Sequence, residues 1–151
     1  MLEEGRPAPL FELPDANLAP VRLSDFHGRR HVLLVFYPFA FTRVCGGELR
    51  AIQDDLEHFQ NECVQVLAIS VDSVMAQRVF AEQEGLHFPM LSDFWPHGAV
   101  AQSYGAFDDV AGTARRATFL IDRDGLVRWS VRTPLPTARD TAAYREALDS
   151  L

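Results

Sequence analysis

The chain has 151 residues, of which 48% are hydrophobic and 23% charged, a composition that fits one globular domain over residues 1–151. Its formal net charge is −7 with no basic run, which argues against nucleic acid as a partner. Residues 1–7 are acidic and the longest apolar run, 32–41, is too short to span a bilayer, so we expect a cytoplasmic protein with no membrane partner. Two cysteines are too few for a disulfide framework and too far apart for a CxxC pair.

The first half of the chain predicts a short β extension followed by two strand–helix units. In chain order the predicted segments are a hairpin-like pair over 9–23, a buried strand over 31–37, a helix over 43–60, a buried strand over 64–71 and a helix over 73–84. The first helix has one apolar stripe, made by Leu49, Ile52, Leu56 and Phe59, and the second carries Val74, Val79 and Phe80. Alternation of strand and helix implies a parallel pair of strands.

In the second half of the chain the sequence pattern predicts a hairpin and a C-terminal helix. Its predicted segments are a short apolar segment at 87–91, a loop at 92–98, a helix over 98–104, and two strands over 117–121 and 126–131 joined by a turn. The C-terminal helix, capped near Thr137, carries Ala142, Tyr144 and Leu148. This order predicts an α/β thioredoxin-like fold, with a mixed central sheet flanked by helices and an N-terminal β extension.

Cys45 is the residue whose position points most directly to chemistry. A buried strand ends near Tyr37, a loop containing Pro38 follows, and the predicted helix then begins with Cys45 in its first turn. Unpaired backbone N–H groups at a helix start favour negative charge, so this position stabilises the thiolate, which is the nucleophilic form of cysteine. The alternative is an inert, buried cysteine at a strand–helix junction.

The motif Pro38-x-x-x-Thr42-x-x-Cys45 resembles the active-site signature of the peroxiredoxins. Four further strings support the resemblance at matching intervals, and they lie at 7–13, 69–72, 88–93 and 116–122. The string at 94–100 and the lack of a cysteine at the usual resolving positions are most similar to the one-cysteine alkyl hydroperoxide reductase E group. The resemblance covers nearly the whole chain.

The resemblance implies a catalytic set made of Cys45, Thr42, Arg116 and Pro38, with Glu48 in support. The chemistry of these residue types agrees with it. As an N-cap, Thr42 can direct its hydroxyl to the Cys45 amide or toward the sulfur and the peroxide, while Pro38 stiffens the loop. Arg116 adds a cation that favours thiolate and can hydrogen-bond both peroxide oxygens, and Glu48 is placed to orient it.

Ionisation of Cys45 alone does not account for fast peroxide reduction. A cysteine with a pKa of about 8.5 is about 3% thiolate at neutral pH, so full ionisation gains about 30-fold, or about 2 kcal/mol. The remainder must come from donors aimed at the charge that spreads over both oxygens as the O–O bond breaks, a role assigned to Arg116, Thr42 and the Cys45 amide. The attack leaves a sulfenic acid on Cys45.

Several assignments have alternatives in the sequence. Arg115 competes with Arg116, and only the family resemblance separates the two. Glu48 is equally well explained as a solvated helix residue. Cys63 has no activating neighbour in the sequence, so we interpret it as structural, with a resolving cysteine as the alternative.

The remaining aromatic and histidine residues receive no catalytic role. Trp95, Phe39 and Phe41 are expected to pack or to line a pocket, with a dimer patch as the alternative. His97 is expected to be a satisfied loop residue. A metal site made of His97, His87 and a cysteine has no ligand pair at helical spacing, so we expect neither a metal nor a cofactor.

These observations predict a thiol-dependent peroxidase for hydrogen peroxide and alkyl hydroperoxides, with peroxynitrite as a further candidate. An external thiol or redoxin would reduce the sulfenic acid, and the resemblance implies a homodimer. Gly46 and Gly47 each cost the first helical turn up to about 1 kcal/mol relative to alanine, so this turn should open easily to the reductant.

Two other functions remain open at this point. A cysteine hydrolase would need a histidine base beside Cys45, and none of the five histidines lies in a recognisable partner motif. A peroxide sensor or holdase chaperone would use the same oxidation of Cys45 without steady turnover.

Overall fold

The computed structural model describes residues 1–133 and 141–151, and for residues 43–46 it describes the helical backbone but not the side chains. Besides a short 3-10 helix at Leu23–Phe26, the elements in chain order are β1 (Glu12–Pro14), β2 (Pro20–Arg22), β3 (His31–Phe36), α1 (Arg43–Asp54), α2 (Leu56–Phe59), β4 (Val64–Ser70), α3 (Val74–Glu84), β5 (Met90–Ser92), α4 (Ala99–Ser103), β6 (Phe107–Asp108), β7 (Thr113–Ala114), β8 (Ala117–Ile121), β9 (Val127–Arg132) and α5 (Thr141–Asp149).

A five-stranded mixed sheet with the strand order β5-β4-β3-β8-β9 forms the centre of the molecule. β3 pairs in parallel with β4, which pairs in parallel with β5. On its other side β3 pairs antiparallel with β8, and β8 forms a hairpin with β9. β1 and β2 form the expected N-terminal hairpin, so the predicted mixed sheet with a β extension is confirmed.

Both faces of the sheet are buried, because the side chains of β3 alternate between two apolar cores. Leu34 and Phe36 face the core that contains Tyr104 at the end of α4. Leu33 and Val35 face the other core, which is covered by α1, α2, α3 and α5 through Leu49, Ile52, Phe59, Phe80 and Tyr144. Burial of each such large side chain contributes about 1.5–3 kcal/mol, which explains why the strands are apolar throughout.

The helix predicted over 43–60 is two helices. α1 ends at Asp54, and Asp55 leaves the helical region with φ −121° and ψ 31° before α2 begins. Its carboxylate lies 2.9 Å from the Arg145 guanidinium of α5, a tertiary contact that accompanies the break. The apolar stripe itself is confirmed, since Leu49, Ile52 and Phe59 are fully buried.

α3 is bounded by the residues that the sequence favours for helix ends, but its inward face differs from the prediction. The Ser73 hydroxyl accepts a hydrogen bond from the Ala76 amide at 3.2 Å, which caps the first turn. Phe80 is buried as expected, whereas Val79 is exposed. Gln77 is fully buried instead, because its side chain finds polar partners at the ends of β4 and β5.

The C-terminal helix docks on the sheet mainly through Tyr144, and Ala147 and Leu148 are partly buried against the same core. The Tyr144 ring is buried, and its hydroxyl lies 2.9 Å from the Thr118 hydroxyl of β8. Ala142 is exposed, and the predicted cap at Thr137 lies outside the described residues. Across the described chain, no helix combines the length and the apolar character needed to cross a bilayer.

Candidate active site

The ends of three strands meet at one edge of the central sheet. Phe36, the last residue of β3, pairs with Ile69 of β4 and with Ala117 of β8. This register brings the loop over 37–42, the end of β4 and Arg116 to the same edge. The carboxyl ends of parallel strands are where open α/β sheets place their ligand sites.

The loop over 37–42 connects β3 to α1. The Tyr37 amide donates to the Ile69 carbonyl at 3.0 Å, so the loop begins in register with β4. Pro38 is buried, and Thr42 is exposed directly before the first residue of α1, the position of an N-cap. The Thr42 hydroxyl donates to the Phe39 carbonyl at 3.3 Å, which closes the loop on itself.

Cys45 lies where the sequence predicted it, as the third residue of α1. Glu48 follows it by three residues, so positions 45 and 48 lie on one face of this helix. Any residue that binds Glu48 therefore lies beside the face of α1 that also carries Cys45.

That residue is Arg116. Its Nη1 atom is 2.6 Å from Oε1 of Glu48, and only 4% of Arg116 and 2% of Glu48 is exposed. Two buried charges at this distance stabilise one another, and each would be costly alone. The alternative interpretation of Glu48 as a solvated helix residue is therefore wrong.

Arg115, the competing arginine, points to a different neighbour. Its Nη1 atom lies 3.9 Å from the Asp108 carboxylate, and a third of its side chain is exposed. A long, exposed pair of this kind contributes little. Of the two arginines, Arg116 is the one that contacts α1, while its role in a reaction remains a prediction.

The middle of the loop over 37–42 is held by a cluster of hydrogen-bonded side chains that the sequence did not reveal. The Ala40 amide donates to Oδ2 of Asp72 at 2.9 Å, and the Ser70 hydroxyl donates to the same oxygen at 2.6 Å. Gln77 of α3 in turn donates to the Ser70 hydroxyl at 2.9 Å. The available signal was two polar residues at the end of an otherwise apolar strand, which the string at 69–72 contains.

The loop over 93–98 begins beside this group. The Asp93 amide donates to the Ser70 carbonyl at 2.8 Å, and the Asp93 carboxylate accepts hydrogen bonds from the amides of Val100 and Ala101 at 3.1 and 2.9 Å. These bonds begin α4. Burial raises the pKa of the Asp93 carboxyl above its ordinary value, and the two amide hydrogen bonds oppose that shift.

Exposed aromatic side chains lie on the two loops beside the site. Phe39, Phe41, Phe94 and Trp95 are 46%, 54%, 53% and 80% exposed, so none of the four is buried, although the Phe41 ring contacts Phe80. That Phe39, Phe41 and Trp95 line a pocket or form a dimer patch stays a prediction. His97 lies with Nε2 2.7 Å from the Gly112 carbonyl, which confirms that it is a satisfied loop residue.

Cys63 lies in the loop before β4 with an exposed, free thiol. Burial therefore does not explain Cys63, and both its structural interpretation and its resolving alternative stay predictions. Among the side chains that the structure describes, no three histidine, cysteine or acidic residues gather into a group able to hold a metal ion.

Comparison with known proteins assigns this architecture to a family. Residues 5–130 match the AhpC/TSA family. The chain is 45% identical to the alkyl hydroperoxide reductase E of Mycobacterium tuberculosis (strain ATCC 25618 / H37Rv), over 100% of this chain and 99% of that protein. It is 36% identical to the selenocysteine-containing peroxiredoxin PrxU of Peptoclostridium acidaminophilum, over 94% of this chain and 73% of that protein.

Solved structures give the same result for the fold. The crystal structure of peroxidoxin BcpB from Mycobacterium tuberculosis is similar with a TM-score of 0.89 and 31% identity, covering 100% of this chain and 99% of that one. The AhpC of Enterococcus faecalis is similar with a TM-score of 0.90 and 26% identity, covering 99% and 92%. The predicted thioredoxin-like peroxiredoxin fold is thereby confirmed.

Replacement of Glu48 by alanine should lower the free energy of unfolding by about 3 kcal/mol, because it leaves the buried Arg116 guanidinium without its counter-charge. Urea unfolding measures the loss. Glu82→Ala is the matched control, since Glu82 pairs with Arg78 at 3.6 Å on the exposed face of α3 and should cost no more than about 0.5 kcal/mol. Equal losses in the two variants would contradict a stabilising role for the buried pair.

Proposed function

The chain belongs to the AhpC/TSA family of peroxiredoxins, and from this membership we propose that it is a thiol-dependent peroxidase working through Cys45. The observation that carries the proposal is the buried ion pair between Arg116 and Glu48, because Glu48 follows Cys45 by three residues on the same face of α1. The relatives named as alkyl hydroperoxide reductase and peroxiredoxin support the same class of reaction.

In the proposed reaction the Cys45 thiolate attacks one oxygen of the peroxide. The S–O bond forms as the O–O bond breaks, and the departing oxygen takes a proton and leaves as water or an alcohol. The sulfur is oxidised to sulfenic acid while the peroxide is reduced. An external thiol then displaces water from the sulfenic acid to form a mixed disulfide, and a second thiol releases Cys45 as thiolate.

Arg116 is proposed to act on the charge that spreads over the two oxygens during this attack. A guanidinium presents several N–H donors in a fixed plane, so it can donate to both oxygens at once. Its pairing with Glu48 keeps that plane in one orientation before the substrate arrives, and preorganised donors in a water-poor site are worth more than donors in water. Thr42 and the Cys45 amide are proposed as further donors, and Pro38 as the residue that stiffens the loop.

The proposed substrates are hydrogen peroxide and alkyl hydroperoxides, with peroxynitrite as a further candidate, and the proposed reductant is an external thiol or redoxin. The protein is proposed to act as a homodimer in the cytoplasm. The exposed rings of Phe39, Phe41, Phe94 and Trp95 support an interface at this end of the sheet, since several large exposed apolar side chains on neighbouring loops are typical of interaction sites.

Cys45→Ser should abolish steady peroxide reduction with a thiol reductant, because a hydroxyl does not ionise at neutral pH. Circular dichroism should show an unchanged fold, since the two side chains are nearly equal in volume. Cys63→Ser is the matched control and should retain full turnover, as no internal disulfide is required. Steady turnover by Cys45→Ser would rule out the proposed nucleophile, whereas a wild-type protein that oxidises once and then stops would favour the sensor or holdase.

Arg116→Met should reduce the rate of peroxide reduction at every pH. The thioether keeps the apolar stem but removes the charge and the donors. At a pH high enough for Cys45 to be fully ionised, the plateau rate should remain at least about 100-fold below wild type, or about 3 kcal/mol of lost transition-state stabilisation. A pH–rate profile makes the measurement, because any defect in ionisation disappears at high pH.

Arg115→Met is the matched control for this profile and should keep the wild-type plateau, since Arg115 lies against Asp108, whereas Arg116 pairs with Glu48 of α1. Recovery of the wild-type plateau by Arg116→Met would show that Arg116 only tunes ionisation. A large defect in Arg115→Met would move the assignment to that residue.

A further inference from the structure

The loop that precedes Cys45 contains a backbone conformation that needs support from outside the loop. Phe41 has a φ of 65°, in the left-handed region that bulky L-residues rarely adopt. A residue of this kind persists where its surroundings hold it in place. The Phe41 ring contacts Phe80 with 5.4 Å between centroids, but 54% of Phe41 is exposed, so the ring is supported from one side only.

Asp72 restrains the residue that precedes Phe41. Its Oδ2 atom accepts the Ala40 amide at 2.9 Å, one residue before the left-handed position. The two residues are 32 positions apart in sequence, so this bond ties the loop to the end of β4. α1 begins at Arg43, three residues after Ala40, so this bond restrains the chain close to the first turn of the helix.

Asp72 is itself held by rigid parts of the fold. Its Oδ2 atom also accepts the Ser70 hydroxyl at 2.6 Å, and its backbone carbonyl accepts the Ser92 hydroxyl at 2.6 Å. Gln77, which is fully buried, donates to the Ser70 hydroxyl at 2.9 Å and to the Leu91 carbonyl at 2.8 Å. The position of the Asp72 carboxylate is therefore determined by β4, β5 and α3 together. A carboxylate held in this way can in turn hold the Ala40 amide in one position.

We propose that Asp72 is a positioning residue that holds the loop over 37–42, and with it the start of α1, in the conformation from which Cys45 reacts with peroxide. The kinetic part of this inference rests on the proposed peroxidase function, whereas the anchoring of Ala40 does not. The hydrogen bond from the Ala40 amide requires an acceptor oxygen on the side chain at position 72, and it does not require a negative charge there. An asparagine, whose amide oxygen occupies the same position, should therefore replace Asp72, and an alanine should not.

The experiment compares Asp72→Ala, Asp72→Asn and Ser92→Ala with wild type in three measurements. The first is amide hydrogen exchange resolved at Ala40, and the second is the second-order rate constant for oxidation of Cys45 by hydrogen peroxide at a pH where the thiol is ionised. The third is the rate at which an excess of a small thiol reduces oxidised Cys45. Ser92→Ala removes a hydrogen bond to the Asp72 carbonyl but leaves the carboxylate in place, so it controls for loss of one bond in the same group.

Asp72→Ala should exchange the Ala40 amide at least about tenfold faster and react with peroxide at least about tenfold more slowly than wild type, because the amide has lost its fixed acceptor. Its reduction by thiol should be no slower, because that step needs an open first turn. Asp72→Asn and Ser92→Ala should stay within about threefold of wild type in all three measurements. A general loss of stability would not produce this separation between the two half-reactions.

Three results would overturn the inference. One is exchange of the Ala40 amide in wild type as fast as in an unfolded peptide, a measurement that does not depend on whether any variant folds. Another is an equal defect in Asp72→Asn and Asp72→Ala. The third is wild-type peroxide kinetics in Asp72→Ala despite a faster exchange of Ala40. If wild-type Cys45 fails to react with peroxide while the protection of Ala40 depends on Asp72, it is the proposed function that fails and the anchor that stands.

Discussion

The buried ion pair between Arg116 and Glu48 is the constraint on which the geometry of the site depends. The guanidinium of a residue that is only 4% exposed is stable only beside a compensating charge, so α1 must present position 48 to the start of β8. The same rotation of the helix fixes the face on which Cys45 lies. One electrostatic requirement thus sets the orientation of the helix relative to the sheet and brings a cation to the helix end that carries the thiol.

The site combines a rigid part with a part that we expect to deform. Arg116 precedes a central strand whose residues pair on both sides, so its backbone can move little. The segment that carries the thiol is different, since it contains the left-handed Phe41 and the adjacent glycines 46 and 47, which we expect to open easily. The bond from Ala40 to Asp72 restrains the middle of the preceding loop against that opening. A peroxidase recycled by an external thiol needs both properties, because oxidation requires fixed donors and reduction requires access to the sulfur.

The sequence predicted the parts of this architecture that local patterns determine. The apolar strands, the turn over 122–125 that joins β8 to β9 and the cysteine in the first turn of a helix all follow from short-range patterning. The end of α1 at Asp54, the burial of Glu48 and the bond from Ala40 to Asp72 do not. Each of these depends on a partner more than 30 positions away or on the packing of another element, and single-sequence periodicity contains no information about such partners.

The role of Cys45 is tested most directly by a peptide-resolved mass spectrum of wild-type protein after one equivalent of hydrogen peroxide, with a reagent that traps sulfenic acid. The trapped oxidation should lie on Cys45, Cys63 should remain a free thiol, and no disulfide should join the two. First oxidation at the exposed Cys63, with Cys45 unchanged, would contradict the central claim that Cys45, at the start of α1 and beside the buried ion pair, is the nucleophile.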